Sequence, residues 1–361
     1  MRGWSCSGQS PRVFSRLGFS ALLILLFSSV IAPDVHTAML KERRAEVSYS
    51  VNLNAPADAK VVRLWIPYPM SNVTQEVTDV VVKGNQTATG VYRESAFGNA
   101  ALYAEWKDTK APRILTYTFK VHRKERVTKD FPKMELPFSK AEYQKELAPT
   151  RLANLQGPEK DLAEKITRGK TTNHEKASAI YDWIVENMHR DPNTKGCGIG
   201  DVDTLTRTLG GKCGDISSVY VAIARASGVP AREVFGIRIP SGKEGEMTKA
   251  QHCWAEWYSP GYGWVVVDPA DVRKAILVRK ITLEQVTPLR IYLFGAVDEN
   301  RITFGTGRDL VLNPHQSGEP LNYFMYPYAE ADGKTLNEDL YGFNIGYTIR
   351  FKELKNEGMS W

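Results

Sequence analysis

Gly210-Gly211-Lys212-Cys213-Gly214-Asp215, followed by Ile216, Val219, Tyr220, Ile223 and Ala226, is the stretch from which the rest of the chain becomes readable. Its apolar positions recur at helical spacing, and Gly228 with Pro230 just beyond ends the run. The pattern predicts a helix that opens at Cys213. Unpaired N–H groups and the helix dipole at that position favour negative charge, which lowers the pKa of a thiol and raises its thiolate fraction at neutral pH. The preceding glycines let the backbone turn sharply and let another chain approach closely. An oxyanion is then held by the Cys213 amide and a neighbouring donor.

A thiolate needs a proton partner. Downstream, Gln251-His252-Cys253-Trp254-Ala255-Glu256-Trp257-Tyr258 and Trp264-Val265-Val266-Val267-Asp268-Pro269 flank Ser259-Pro260-Gly261-Tyr262-Gly263, which reads as a β-hairpin. Opposed residues share a face, so an odd loop sets even positions against even ones. Two registers remain open: one sets His252 opposite Asp268, the other sets Trp254 there and leaves His252 a diagonal neighbour. In both, the imidazole and carboxylate share a face and Cys253 points to the other. A thiolate, an imidazole to shuttle its proton and a carboxylate to orient the imidazole are the elements of a nucleophilic triad. Singly each is weak evidence, because a helix-start Cys, a strand His and an Asp before Pro all have common structural roles. Their joint order carries the weight.

Working outward, residues 157–280 form the expected catalytic core. Gly157-Pro158-Glu159 opens a short helix, with Pro in the first turn where its missing N–H is harmless. Thr172 and Glu175 form a capping-box pattern for a second helix carrying Ala177, Ile180, Ile184 and Met188, whose polar side holds His174 and His189. Residues 191–203 form a Gly- and Asn-bearing loop that leads to the cysteine. Upstream, residues 39–127 read as a β-sandwich-like domain: Val47, Tyr49, Val51 and Leu53 alternate with polar residues, and turn residues punctuate the later runs. Residues 128–156, with Pro132, Pro137 and Pro149, read as a surface linker. Residues 281–361 read as a β-containing extension of the core. Residues 1–38 read as a signal peptide, in which Arg2, Arg12 and Arg16 precede an apolar run centred on Leu22-Leu23-Ile24-Leu25-Leu26-Phe27. That run is shorter than the roughly 20 residues that span hydrocarbon, so cleavage and a periplasmic or secreted mature protein without a stable membrane span are expected.

Residues 175–271 as a whole resemble the transglutaminase-like superfamily. The residues that carry the likeness are Gly211-Lys212-Cys213-Gly214-Asp215, Gly228-Val229-Pro230-Ala231-Arg232, His252-Cys253-Trp254-Ala255-Glu256 and Gly261-Tyr262-Gly263-Trp264-Val265-Val266-Val267-Asp268-Pro269. The resemblance implies an α+β fold with a papain-like core, in which a helix presents Cys213 to a sheet bearing His252 and Asp268. It implies Cys213 as nucleophile, His252 as general acid and base, and Asp268 as orienting carboxylate. An N-terminal β domain is in keeping with exported members. Cys253 stands where members often carry an apolar or small residue. Trp254 and Trp264 are candidates for walls of an acyl site, or for core packing. Asp215 and Arg232 are read either as a charged support for the helix or as surface groups.

The expected activity is thiol-dependent acyl transfer at amide bonds through a thioester, with hydrolysis of peptide or isopeptide bonds in a protein or peptide substrate of the cell envelope as the leading reading. A cross-linking transamidase and a non-catalytic binding module on the same fold are the alternatives. Apolar and charged fractions of 42% and 24% are those of a globular protein. Losing three arginines and Asp34 with the leader takes the net charge from +6 to +4, and no basic run interleaved with aromatics suggests nucleic acid. No cofactor is expected. Cys197, Cys213 and Cys253 remain in the mature chain, and Cys197 and Cys253 either bridge or pack as reduced thiols. Their spacings contain no close Cys pair, which argues against zinc, and no acidic loop has calcium-ligand spacing.

Overall fold

Period-2 alternation along Glu42–Asn52 buries Ala45, Val47, Tyr49 and Val51 on one face. This strand sits at the middle of a five-stranded antiparallel sheet ordered Glu244–Glu246, Tyr347–Glu353, Glu42–Asn52, Ile114–Lys124, Gln75–Gly84. A second five-stranded sheet runs Lys334–Thr335, Tyr328–Ala331, Val61–Tyr68, Ala100–Lys107, Ala88–Arg93. Tyr117 and Phe119 from the first sheet join Leu64, Ile66 and Trp106 from the second in one core, which makes the expected sandwich. Val61–Tyr68 lacks clean alternation because its other face is also covered: Trp65 packs with Tyr103, Leu310, Leu312 and Phe324. This computed structural model describes residues 40–107, 110–132 and 134–355. The expected signal segment and its cleavage point lie outside the described residues. Among the described residues, no helix is long and apolar enough to cross a membrane.

The second architectural unit is a four-stranded antiparallel sheet ordered Gly263–Val267, Gln251–Ser259, Ala231–Arg238, Arg301–Thr306. Against it lies the helix Cys213–Ala226, buried at every position except Ala226. The helices Pro158–Ile166, Asn173–Asn187, Val202–Thr208 and Pro269–Arg279 enclose it together with the sheet, and of its buried polar side chains Ser218 donates to the Gly214 carbonyl and Arg225 to the Ala231 carbonyl. The Thr172 capping box is present: the Glu175 N–H donates to Thr172 Oγ1 at 3.1 Å and the Thr172 N–H to Glu175 Oε2 at 3.0 Å. The fold is thus α+β, with a strand-rich N-terminal region beside a core in which a helix meets an antiparallel sheet.

Two segments differ from expectation. Residues 281–361 do not all extend the core. Arg301–Thr306 does so, pairing with Ala231–Arg238, but Tyr328–Ala331 and Tyr347–Glu353 pair with Val61–Tyr68 and Glu42–Asn52 of the sandwich. The cause is the alternating burial of Tyr347, Ile349 and Phe351, which matches the apolar face of Glu42–Asn52. The stretch 128–156 is fastened rather than draped: the Phe131 ring packs on His174, Trp257 and Phe294, and Lys129 Nζ donates to the carbonyls of Ile291, Tyr292 and Phe294.

Ile349 is fully buried where the last strand closes the sandwich. Ile349→Ala is expected to destabilise the protein by about 2–5 kcal/mol in urea denaturation. A loss below about 0.5 kcal/mol, the size of a neutral surface change, would show that this strand does not close the sheet.

Candidate active site

Cys213 is the first residue of its helix, and three local features hold it there. Gly210–Gly211 pairs in parallel with His189–Arg190, which fixes the approach of the chain. Asp215, in the first turn, accepts from the Lys212 N–H and the Gly200 N–H, both at 2.9 Å. The Gly214 N–H donates to the Cys197 carbonyl at 2.7 Å, and a Cβ at position 214 would stand 2.7 Å from that same oxygen. The 191–201 loop thus closes onto the helix start at Gly214, while of the two glycines before Cys213, Gly210 is approached by the His189 ring and Gly211 by the Asp215 side chain. Asp215 serves this backbone junction and does not meet Arg232, which instead pairs with Glu256 at 2.7 Å.

The hairpin adopts the register that pairs Tyr258 with Trp264 and Ala255 with Val267, leaving His252 diagonal to Asp268. His252 Nε2 lies 2.7 Å from Asp268 Oδ2, both residues being buried, so Nδ1 is left for the thiol. Asp268 ends the hairpin and caps the following helix, its Oδ1 accepting from the Asp271 N–H at 2.9 Å. Arg301, fully buried, donates through Nη1 to Asp268, through Nη2 to Asp271 at 3.0 Å and through Nε to Asp298 at 3.1 Å. Burial and Arg238 push the His252 pKa down, but Asp271 and Asp268 outweigh them and the net shift is upward. Burial raises Asp271 and Asp298, but His252, Arg238 and Arg301 more than offset it at Asp271, and Arg301 and Arg238 at Asp298. Both carboxyls end below their ordinary values, Asp298 at about 2.

Cys253 does not point away from this site. Its sulfur and those of Cys197 and Cys213 lie within 4.8 Å of one another, all three as buried free thiols. Hydrogen bonds from Cys197 and Cys253 to the Cys213 sulfur are the main reason its pKa falls well below the ordinary value. Burial opposes them and His252 assists. Each neighbouring thiol has a second acceptor, the Gln251 carbonyl at 3.4 Å for Cys197 and Met325 Sδ at 3.7 Å for Cys253, but a thiolate is the stronger acceptor. The three sulfurs also form a soft ligand set that sequence spacing does not reveal, although a metal bound there would occupy the Cys213 sulfur. His252, Asp268 and Asp271 are a second close group. Their charge is already balanced by Arg301 and Arg238, and Nε2 of the imidazole is engaged.

Cys213 and His252 line one cavity of about 630 Å³, with Cys197, Gln251, Tyr326 and Phe343 among its other walls. Trp254 and Trp264 are not among them. Trp254 supports the site from behind, stacked 6.0 Å from the His252 ring and 5.6 Å from the Arg301 guanidinium. Trp264 lies away from it, with Arg232 4.0 Å over its ring and Tyr258 at its edge. Three further residues escape the sequence reading. Asp271 is the one with a local signal, because Asp268-Pro269-Ala270-Asp271 is a helix-cap spacing. Arg301 comes from a remote strand. Gln251 is 8% exposed and its Nε2 is buried without a partner among the described residues.

Comparison with known proteins places these residues in context. The model of the transglutaminase-like superfamily matches residues 160–269, the span that contains Cys213, His252 and Asp268. A Haemophilus influenzae protein described only as uncharacterized is 36% identical over 302 residues, covering 76% of this chain and 82% of its own length. The Bacillus subtilis protein YebA is 31% identical over 123 residues, which is 30% of this chain and 17% of YebA. Among solved structures, a candidate cysteine protease from Cytophaga hutchinsonii superposes with a TM-score of 0.56 over 88% of this chain and 92% of its own, at 14% identity. At that identity the likeness is one of fold.

Arg301→Met leaves Asp268 buried without its cation and Asp271 with Arg238 alone, and is expected to cost about 3–5 kcal/mol, with Arg301→Lys in between. Depressed carboxyl pKa values contribute stability that is complete above about pH 4 and is lost as pH falls through the folded-state values. Urea denaturation at pH 7 and pH 3 should therefore show a smaller acid loss in Arg301→Met than in the natural protein. Equal acid losses would mean that Arg301 does not hold these groups.

Proposed function

This chain belongs to the transglutaminase-like superfamily, and we propose that it is an exported thiol hydrolase that cleaves peptide or isopeptide bonds in proteins of the cell envelope. The observation that carries this reading is the shared cavity of Cys213 and His252, with Asp268 bonded to the far side of the imidazole. The Cys213 thiolate attacks the amide carbonyl carbon, forming C–S, while the carbonyl oxygen takes the negative charge. The Cys213 N–H, which has no intrahelical acceptor, and Gln251 Nε2 receive that oxyanion. Collapse breaks the C–N bond, and the imidazolium passes its Nδ1 proton to the departing nitrogen. His252 then takes a proton from water, whose oxygen attacks the thioester carbonyl; the C–S bond breaks, releasing the acid and regenerating the Cys213 thiolate beside the imidazolium. Asp268, fixed by Arg301, keeps the proton on Nε2 throughout.

Hydrolysis is favoured over transamidation because the cavity walls carry several Lys and Arg side chains. A lysine ammonium brought in as acyl acceptor meets like charge, whereas water does not. Export rests on the basic and apolar leader pattern of the sequence.

The test is digestion of a mixed peptide pool in H₂¹⁸O. New C-termini should carry ¹⁸O with the natural protein and be absent with Cys213→Ser. Product formed only when a primary amine is supplied would identify a transamidase, and no product in either condition would favour a binding module. Gln251→Ala should lower turnover by about 10²–10³-fold, with far less effect on direct alkylation of Cys213, which builds no oxyanion. A parallel loss in both assays would assign Gln251 a structural role instead.

A further inference from the structure

The cavity that holds Cys213 and His252 is walled by Arg190, Lys195, Lys212, Arg238, Lys249 and Lys274, and no Asp or Glu is among the described residues lining it. Arg238 is satisfied by Asp271 and Lys195 by Asp339. Lys249 faces the Phe343 ring at 5.5 Å. Arg190, Lys212, Lys249 and Lys274 make no ion pair with any described residue. They converge from separate parts of the chain: the short strand before the 191–201 loop, the residue preceding the Cys213 helix, the turn before the His252 strand, and the helix after Asp268. Two fully buried cations of the same core, Arg301 and Arg308, are by contrast matched to Asp268 and Glu233.

Cations that repel one another across a cleft raise its potential, and a cleft lined by one sign of charge concentrates ligands of the opposite sign. Cys213 lies inside this field. We infer that the acyl substrate is an acidic peptide, carrying Asp or Glu side chains or a free terminal carboxylate close to the amide that is attacked. This rests on the hydrolase reading above and narrows it. The carboxylates are met by ammonium and guanidinium groups at the walls, which positions the neighbouring amide carbonyl over the Cys213 sulfur. A substrate with lysines at the same places pays the repulsion instead.

The test needs no known substrate. Three bromoacetyl peptides of equal length, flanked by Glu, Gln or Lys, alkylate Cys213 by displacing bromide, and peptide mass spectrometry reads the rate at that residue. The Glu probe should react about tenfold or more faster than the Gln probe at low ionic strength and the Lys probe slower than both, with the spread collapsing in 0.5 M salt on the order expected for screened charges. Lys249→Glu and Lys274→Glu, each on its own element, should each pull the Glu-to-Gln ratio towards unity. Fast labelling with equal rates for all three probes would overturn the acidic-peptide inference and leave the hydrolase reading standing. Labelling by all three no faster than free cysteine would overturn both.

Discussion

Asp268 is the group on which the site depends, because a single carboxylate meets three structural demands at once. It ends the hairpin that carries His252, caps the helix Pro269–Arg279 through Oδ1, and accepts from His252 and Arg301 through Oδ2. A fully buried carboxylate is costly unless paired, and Arg301 removes that cost while lying beyond the reach of solvent. The imidazole is thereby held by a rigid, dry partner, and its remaining nitrogen is directed to the thiol. Arg301 reaches His252 only through Asp268, so its loss is expected to disturb the orientation of the imidazole indirectly.

On the other side, the Cys213 sulfur is held by a helix start and two neighbouring thiols. The helix Cys213–Ala226 cannot shift without unpacking the core, since sheet and helices enclose nearly all of it. Its first turn is fixed by Asp215 to two backbone amides and by Gly214 against Cys197. Cys197 and Cys253 then supply S–H donors to a thiolate that would otherwise be buried without enough partners. Around the Cys213 sulfur stand the unpaired cations of the cavity, so a thiol with a lowered pKa lies behind a positive entrance.

Local pattern made much of this readable. The Cys213 helix, the Thr172 cap and the alternation of the first strand follow from spacing alone, and hairpin parity places His252 and Asp268 on one face in either register. Apart from Asp271 and Gln251, which neighbour Asp268 and His252 in sequence, the missed features depend on chain segments far apart. Arg301 reaches Asp268 from a strand 33 residues on, and Cys197 meets Cys253 because a loop folds over a helix start. The strand Tyr347–Glu353 joins the strand Glu42–Asn52 near the other end of the chain. Strand alternation also misplaced Cys253, because a helix terminus set against a strand can be touched by adjacent residues. For Trp264, a candidate either for an acyl-site wall or for packing, the packing alternative holds: its ring belongs to a cluster with Arg232 and Tyr258.

The most direct measurement is the rate of Cys213 alkylation by iodoacetamide as a function of pH, in the natural protein and in His252→Ala. A thiolate stabilised by its neighbours should react at pH values well below the roughly 8.5 at which an unperturbed thiol ionises, and the variant should shift that profile upward. A profile like that of free cysteine, or one indifferent to His252, would contradict the pairing on which the catalytic account stands.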